Sequence, residues 1–213
     1  MLSTQGMGVL FRLACLTVLM LVSGKPQPGS KLPEVPVKTG DVVLQTSRSS
    51  RSALIRKASD SPYSHVGLVE VAKDGVFVLE AVQPVSRTPW KTWRARGAGG
   101  KVTVLRATAL DSSTLANVVA EARAELGKPY DARYRWDDES IYCSELVAKA
   151  FERGAKLNVG TQQQVKSLQL SAADLALGPK LGIDPEQTLL TPASLATDAH
   201  FELVHSDFPA ARR

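Results

Sequence analysis

Cys143 opens the stretch Cys143-Ser144-Glu145-Leu146-Val147, and it is one of two cysteines in 213 residues. The other, Cys15, lies inside an apolar N-terminal run that has the composition of an export signal. Removal of that run leaves one thiol without a disulfide partner, in a compartment where thiols persist only if buried or used. Cys143, Leu146, Val147, Ala150 and Phe151 recur at helical spacing, which predicts a helix whose apolar stripe begins at the cysteine. Two readings fit that position. The thiol is a small core hydrophobe, or it is a nucleophile whose pKa the helix N-terminus lowers.

A thiol needs a base to become a thiolate, and an acyl transfer needs an acid for the leaving group. Of the three histidines, His65 is the candidate. It opens the apolar run Val66-Gly67-Leu68-Val69, so a strand would fix its backbone at the mouth of a cleft. His200 and His205 fall in a polar C-terminal stretch and read as surface residues. An imidazole base is held by a carboxylate or amide, and Glu80 is a charged residue inside the apolar run Val76 to Val82. With Asp74-Gly75 as a two-residue hairpin turn, His65 and Glu80 share a sheet face but sit four residues apart along the strands. That is roughly 13 Å at ~3.3 Å per residue, too far for contact, so the pairing requires a longer loop or a bulge.

The elements that must position these residues are short. Gly40 to Thr46 reads as a strand, Ser49 to Ala58 as a helix broken at Ser61-Pro62, and Val66–Val71 with Val76–Val82 as a hairpin. Trp90 to Gly100 reads as a basic, glycine-rich connector, and Val102 to Leu105 as a strand. Asp111 or Ser112 caps a helix to about Leu126, closed by Gly127 and Pro129. A polar loop, Tyr130 to Ser140, precedes the cysteine helix, which ends at Gly154. Residues 156–187 show weak periodicity and read as a variable loop or short helices. Thr191-Pro192 starts a final helix, and Phe201 to Val204 is a closing strand. Strands and helices mix without βαβ regularity, so the class is α+β.

Composition is that of a globular chain. Residues 1–24 read as a signal peptide, with Arg12 ahead of an apolar run of about ten residues, too short to span a bilayer comfortably. Residues 25–38, rich in proline, read as a linker, and residues 39–208 as one domain. The expected location is exported, periplasmic or extracellular, with no stable membrane span in the mature form. The net charge of +5 is a mild bias toward anionic surroundings. No dense basic run with interleaved aromatics occurs, so nucleic acid is not expected. No cofactor is expected, and the histidine and cysteine spacing suggests no metal.

Taken together, Ser64-His65-Val66-Gly67-Leu68-Val69, Leu79-Glu80-Ala81-Val82 and Tyr142-Cys143-Ser144-Glu145-Leu146-Val147 resemble the YiiX/YebB-like group of NlpC-type cysteine hydrolases. Gly40 to Ser47 and Gly127-Lys128-Pro129-Tyr130-Asp131 extend the likeness, which runs from about Gly40 to Gly154, with a weaker echo at Thr191 to Val204. The resemblance implies a circularly permuted papain-like fold, an antiparallel sheet or partial barrel packed against helices, with histidine before cysteine in the chain. It implies a Cys143, His65 and Glu80 triad, with Tyr130 as an oxyanion donor beside the Cys143 backbone N–H. The expected activity is an exported amidase or peptidase that passes through a thioester, acting on a cell-wall peptide or a lipid-like acyl substrate. A lipid acyltransferase or thioesterase using the same Cys–His pair stays open, as does a catalytically silent envelope binding module. The missing second cysteine argues against a self-contained disulfide enzyme.

Overall fold

The β-branched runs assemble into one six-stranded antiparallel sheet in the computed structural model, which describes residues 34–209. The expected signal peptide, with Cys15, and the first part of the expected linker lie outside the described residues. In chain order the elements are β1 (Val42–Gln45), α1 (Ser52–Ala58), β2 (His65–Ala72), β3 (Gly75–Glu80), β4 (Ser86–Pro89), α2 (Trp90–Arg96), β5 (Thr103–Arg106), α3 (Ser112–Ala124) and α4 (Cys143–Ala155). There follow β6 (Gln163–Gln164), α5 (Ala172–Leu177), β7 (Thr188–Leu189), α6 (Pro192–Ala196) and β8 (Glu202–Ser206). The sheet order is β4-β3-β2-β1-β5-β8, and β6 pairs with β7 in a separate ladder. The fold is α+β and permuted papain-like. Its sheet stays open and is not closed into a barrel.

Strand alternation divides the apolar residues between two faces. Val42, Leu44, Val66, Leu68, Leu79 and Leu105 face α3 and α4 in the main core. Val43, Val69, Val78 and Val104 face the other way, against Trp93 of α2 and Val35 from the chain ahead of β1. Both faces of β1 and β2 are therefore covered, which explains why these strands read as nearly continuous apolar runs.

The segment expected as a connector after Trp90 is a helix instead. Trp90 and Trp93, three residues apart, stack with centroids 5.7 Å apart, and the fully buried Trp93 anchors α2 to the sheet. Burial of that indole outweighs the local glycine and charge content, which had suggested a loop. The cysteine helix also departs from a one-sided stripe. Ser144, Glu145, Ala148 and Lys149 are buried along with the apolar face. The loop before the helix covers them in part, through Lys149 Nζ to the Asp137 carbonyl and to Asp138. The 156–191 segment covers the start of the helix, where the Leu190 N–H donates to the Tyr142 hydroxyl at 3.0 Å.

α3 and α4 cross at Gly154. A Cβ there would lie 2.5 Å from the Val118 backbone nitrogen and 2.6 Å from its Cα. Alanine is the better helix former by about 1 kcal/mol, but the obstruction is backbone and cannot swing aside. Gly154→Ala is therefore expected to lower unfolding free energy by about 1–3 kcal/mol, measured by urea denaturation. A neutral or stabilised variant would contradict the close crossing.

Candidate active site

β2 begins at His65 and α4 begins at Cys143, so two backbone elements aim the two side chains into one place. The thiol and the imidazole lie close enough for each to shift the other's pKa, and both are buried. Burial alone would push the Cys143 thiol up. The hydrogen bond and charge of His65 outweigh it and hold the thiol below its ordinary value. The helix N-terminus adds to the same effect. For His65, burial pulls the pKa down, but hydrogen bonds to Cys143 and Glu80 more than reverse this and raise it to about 9. The favoured state is a thiolate–imidazolium pair.

His65 Nε2 lies 2.6 Å from Glu80 Oε2. With Nε2 so engaged, Nδ1 is the ring nitrogen left for Cys143. The carboxylate is completely buried, yet it accepts from Thr88 Oγ1 of β4 and from Arg96 Nη2 of α2 at 2.6 Å. Burial would raise the Glu80 pKa, and His65 first, then Arg96 and Thr88, lower it to about 2. Arg96 and Thr88 were not singled out in the sequence. Arg96 lies three residues beyond Trp93, so helical spacing was the available signal once α2 was recognised.

The expected distance conflict between His65 and Glu80 does not exist, and its solution is neither a longer loop nor a bulge. The turn is Lys73-Asp74, with Ala72 paired to Gly75 and Leu68 to Leu79. This slips the register by two residues from the Asp74-Gly75 turn. Glu80 then faces Gly67, one diagonal step from His65, within reach of two side chains. A Cβ at Gly67 would lie 2.4 Å from Val78 Cγ1 and 3.5 Å from Glu80 Cβ. The glycine keeps the strands close at the point where the diagonal pair meets.

Tyr130 lies near the thiol and beside Tyr134. Burial, then the Cys143 charge, raises its pKa, so it stays a protonated donor. Its backbone N–H donates to Gln83 Oε1 at 2.6 Å. Gln45 pairs with His65 across β1 and β2, and its buried Oε1 has no hydrogen-bond partner among the described residues. Trp93 flanks His65 with ring centroids 6.3 Å apart. His200 and His205 lie away from this cluster, each paired to a nearby aspartate. Of the loop residues Arg133, Arg135, Trp136 and Asp137, the first and second have backbone N–H groups bonded to Asp131, so this loop is braced by its own carboxylate.

Two hollows meet at the pair. A polar cleft is lined by His65, Gln45, Arg48, Arg51, Arg96 and Tyr130. An apolar cavity of about 260 Å³ is lined by Cys143 and Tyr142 together with side chains of α1 and of the segment after α4.

The two shifted groups act on stability in opposite pH ranges. The Glu80 pKa is depressed from 4.5 to about 2, so its contribution is present above pH 4.5 and is lost as pH falls toward 2. The His65 pKa is raised from 6.5 to about 9, so its contribution is complete below pH 6.5 and is lost as pH rises through 9. Glu80→Gln is expected to cost on the order of 3 kcal/mol near pH 6, and the gap to the unaltered protein should close as pH approaches 2. Denaturation midpoints of both proteins across pH 2–9 would check this. A constant gap would contradict the charged pairing.

The family described as permuted papain-like amidase enzyme, YaeF/YiiX, C92 family, matches residues 36–205. The uncharacterized protein YiiX of Escherichia coli K12 is 35% identical over 177 residues, covering 81% of this chain and 88% of that protein. A crystal structure described as metalloprotein yiiX from Escherichia coli O157:H7, DUF1105, superposes with a TM-score of 0.76 at 36% identity, covering 81% of this chain and 98% of that one. Among the described residues of this chain, no group of three or more His, Cys, Asp and Glu side chains could hold a metal ion. The donor set of the described residues does not fit such a centre.

Proposed function

The chain belongs to the permuted papain-like amidase family of YaeF/YiiX, a cysteine hydrolase kind, and from that membership we propose that it cleaves an amide through a Cys143–His65–Glu80 triad. The observation that supports this reading is the placement of the thiol beside an imidazole that is itself bonded, at 2.6 Å, to a buried carboxylate. In the resting pair the thiol proton already resides on His65. The thiolate attacks the amide carbonyl carbon, and the oxyanion is received by the Cys143 backbone N–H and the Tyr130 hydroxyl. One such donor contributes ~10²–10³ in rate. As the C–N bond breaks, His65 gives its proton to the departing amine, and a thioester remains on Cys143. Water then attacks the thioester and yields a proton to His65. The C–S bond breaks, releasing the acid and restoring the thiolate–imidazolium pair. Glu80 holds the imidazolium and fixes its orientation; Thr88 and Arg96 act through Glu80 as positioning residues.

Location outside the cytoplasm is part of the proposal and rests on the sequence of residues 1–24. Water as the acyl acceptor rests on the amidase family; an amine or alcohol acceptor would appear directly in product analysis.

Alkylation by iodoacetamide tests the pair. In the unaltered protein, Cys143 should react at lower pH than an ordinary thiol, since its pKa is lowered and that of His65 is raised. Cys143→Ala should abolish labelling. In His65→Ala, burial is left unopposed and the thiol should titrate at or above the ordinary ~8.5, so labelling near neutral pH should fall sharply and recover in alkali. An unchanged pH profile in the His65 variant would remove the base from the mechanism.

A further inference from the structure

The polar cleft that opens on His65 is lined by Arg48, Arg51 and Arg96, and by no aspartate or glutamate. Arg96 is committed to Glu80. Arg48 and Arg51 have no carboxylate partner among the described residues. Elsewhere in the fold Arg87, Arg106, Arg123 and Arg153 each meet an aspartate or glutamate. With His65 in its favoured imidazolium state, the cleft gathers positive charge and supplies no counter-ion of its own. Such an arrangement is complementary to an anion.

The two unpaired arginines stand on a fixed base. They belong to the stretch between β1 and α1, and both ends of it are tied to Ser64, the residue before His65. The Ser47 N–H donates to Ser64 Oγ at 2.8 Å, and the Ser52 hydroxyl lies 2.7 Å from the same oxygen. Ser52 and Ser64 are buried, so the backbone that carries the arginines is set relative to the base before any ligand arrives. Arg51 lines the hollow that holds Cys143 as well as the cleft that holds His65, which brings it within reach of the reacting centre.

In amide cleavage the departing nitrogen takes its proton from the imidazole. Whatever that nitrogen carries therefore lies on the His65 side, in the polar cleft. Resting on the amidase reading above, we propose that the leaving amine of the substrate carries an anionic group, a carboxylate or a phosphate, which Arg48 and Arg51 bind. Guanidinium forks match both kinds of oxyanion.

The test holds one acyl group, hexanoyl, constant and varies the amine presented to the full-length protein. Glycine is compared with glycinamide, and 2-aminoethyl phosphate with ethanolamine, by following release of the amine. In at least one pair kcat/KM should favour the anionic member by about fivefold for each arginine engaged. The advantage should shrink at ~1 M salt, where the screening length falls to ~3 Å. Arg48→Gln combined with Arg51→Gln should remove the preference. Arg56→Gln, which takes a charge from α1 outside the cleft, should keep it. A preference for the glycine member identifies an amino-acid-like amine, and one for the phosphate member a phosphorylated amino alcohol; both support the site. Equal kcat/KM within both pairs, or a preference that the double variant retains, overturns the site and leaves the hydrolase reading intact. If no amide of either pair is cleaved, the ratio of Cys143 alkylation by iodoacetate to that by iodoacetamide decides. A ratio that falls severalfold in the double variant keeps the anion site and counts against the amidase reading, and an unmoved ratio overturns both.

Discussion

A carboxylate with no exposed surface is the constraint around which the rest of the site is arranged. Glu80 would be costly in the interior of the sheet without donors on its oxygens. It receives them from three separate elements: His65 from β2, Thr88 from β4 and Arg96 from α2. Each element is placed by something other than the site. β2 is held by core packing on both faces, β4 by its ladder with β3, and α2 by the buried Trp93. The hydrogen bonds thus form between groups whose backbones are already fixed, so little ordering entropy remains to oppose them. Among the described residues, this is where the sheet and the helix on its second face communicate with the thiol on its first.

Charge balance follows from the same cluster. With Cys143 ionised and His65 protonated, the four groups Cys143, His65, Glu80 and Arg96 sum to zero. A neutral thiol and neutral imidazole would sum to zero as well, so the cluster as a whole does not select between the two states. The choice falls to local geometry. Glu80 sits directly on His65 and favours the imidazolium, while the first turn of α4 favours the thiolate. Arg96, also bonded to Glu80, offsets part of the carboxylate's charge.

Much of this was legible in the sequence, and the failures have identifiable causes. The start of the cysteine helix, the main hairpin and the α+β class followed from periodicity and turn residues. The contact between His65 and Glu80 did not, because a strand repeats its faces every two residues. A two-residue slip leaves every side chain on its expected face, so the hydrophobic pattern cannot detect it. The turn alone decides the matter, and Lys73-Asp74-Gly75 admits two placements. Asp74 is held in the observed one by a two-pronged bond from Arg87, a partner thirteen residues away that no local pattern discloses. α2 escaped notice for the opposite reason. Its local composition argued for a loop, and one buried indole overrode it.

The stretch after α4 was the least legible, and the cause bears on how Cys143 is to be understood. Its leucines lack helical or strand periodicity because they do not pack on one face of one element. They converge on a cavity from two short turns, a six-residue helix and the loops between them. This cover closes the start of α4, where the Leu190 N–H meets the Tyr142 hydroxyl, while the loop before the helix meets the buried Lys149 through Asp137 and Asp138. In the same turn of the helix, burial raises the Glu145 pKa to about 7 despite the neighbouring Lys149. The same dry surroundings strengthen the bond between the thiolate and the imidazolium, since charge interactions grow as water is excluded. Burial and reactivity, which stand as rival accounts of a lone cysteine when only its helix is considered, are here two results of one enclosure.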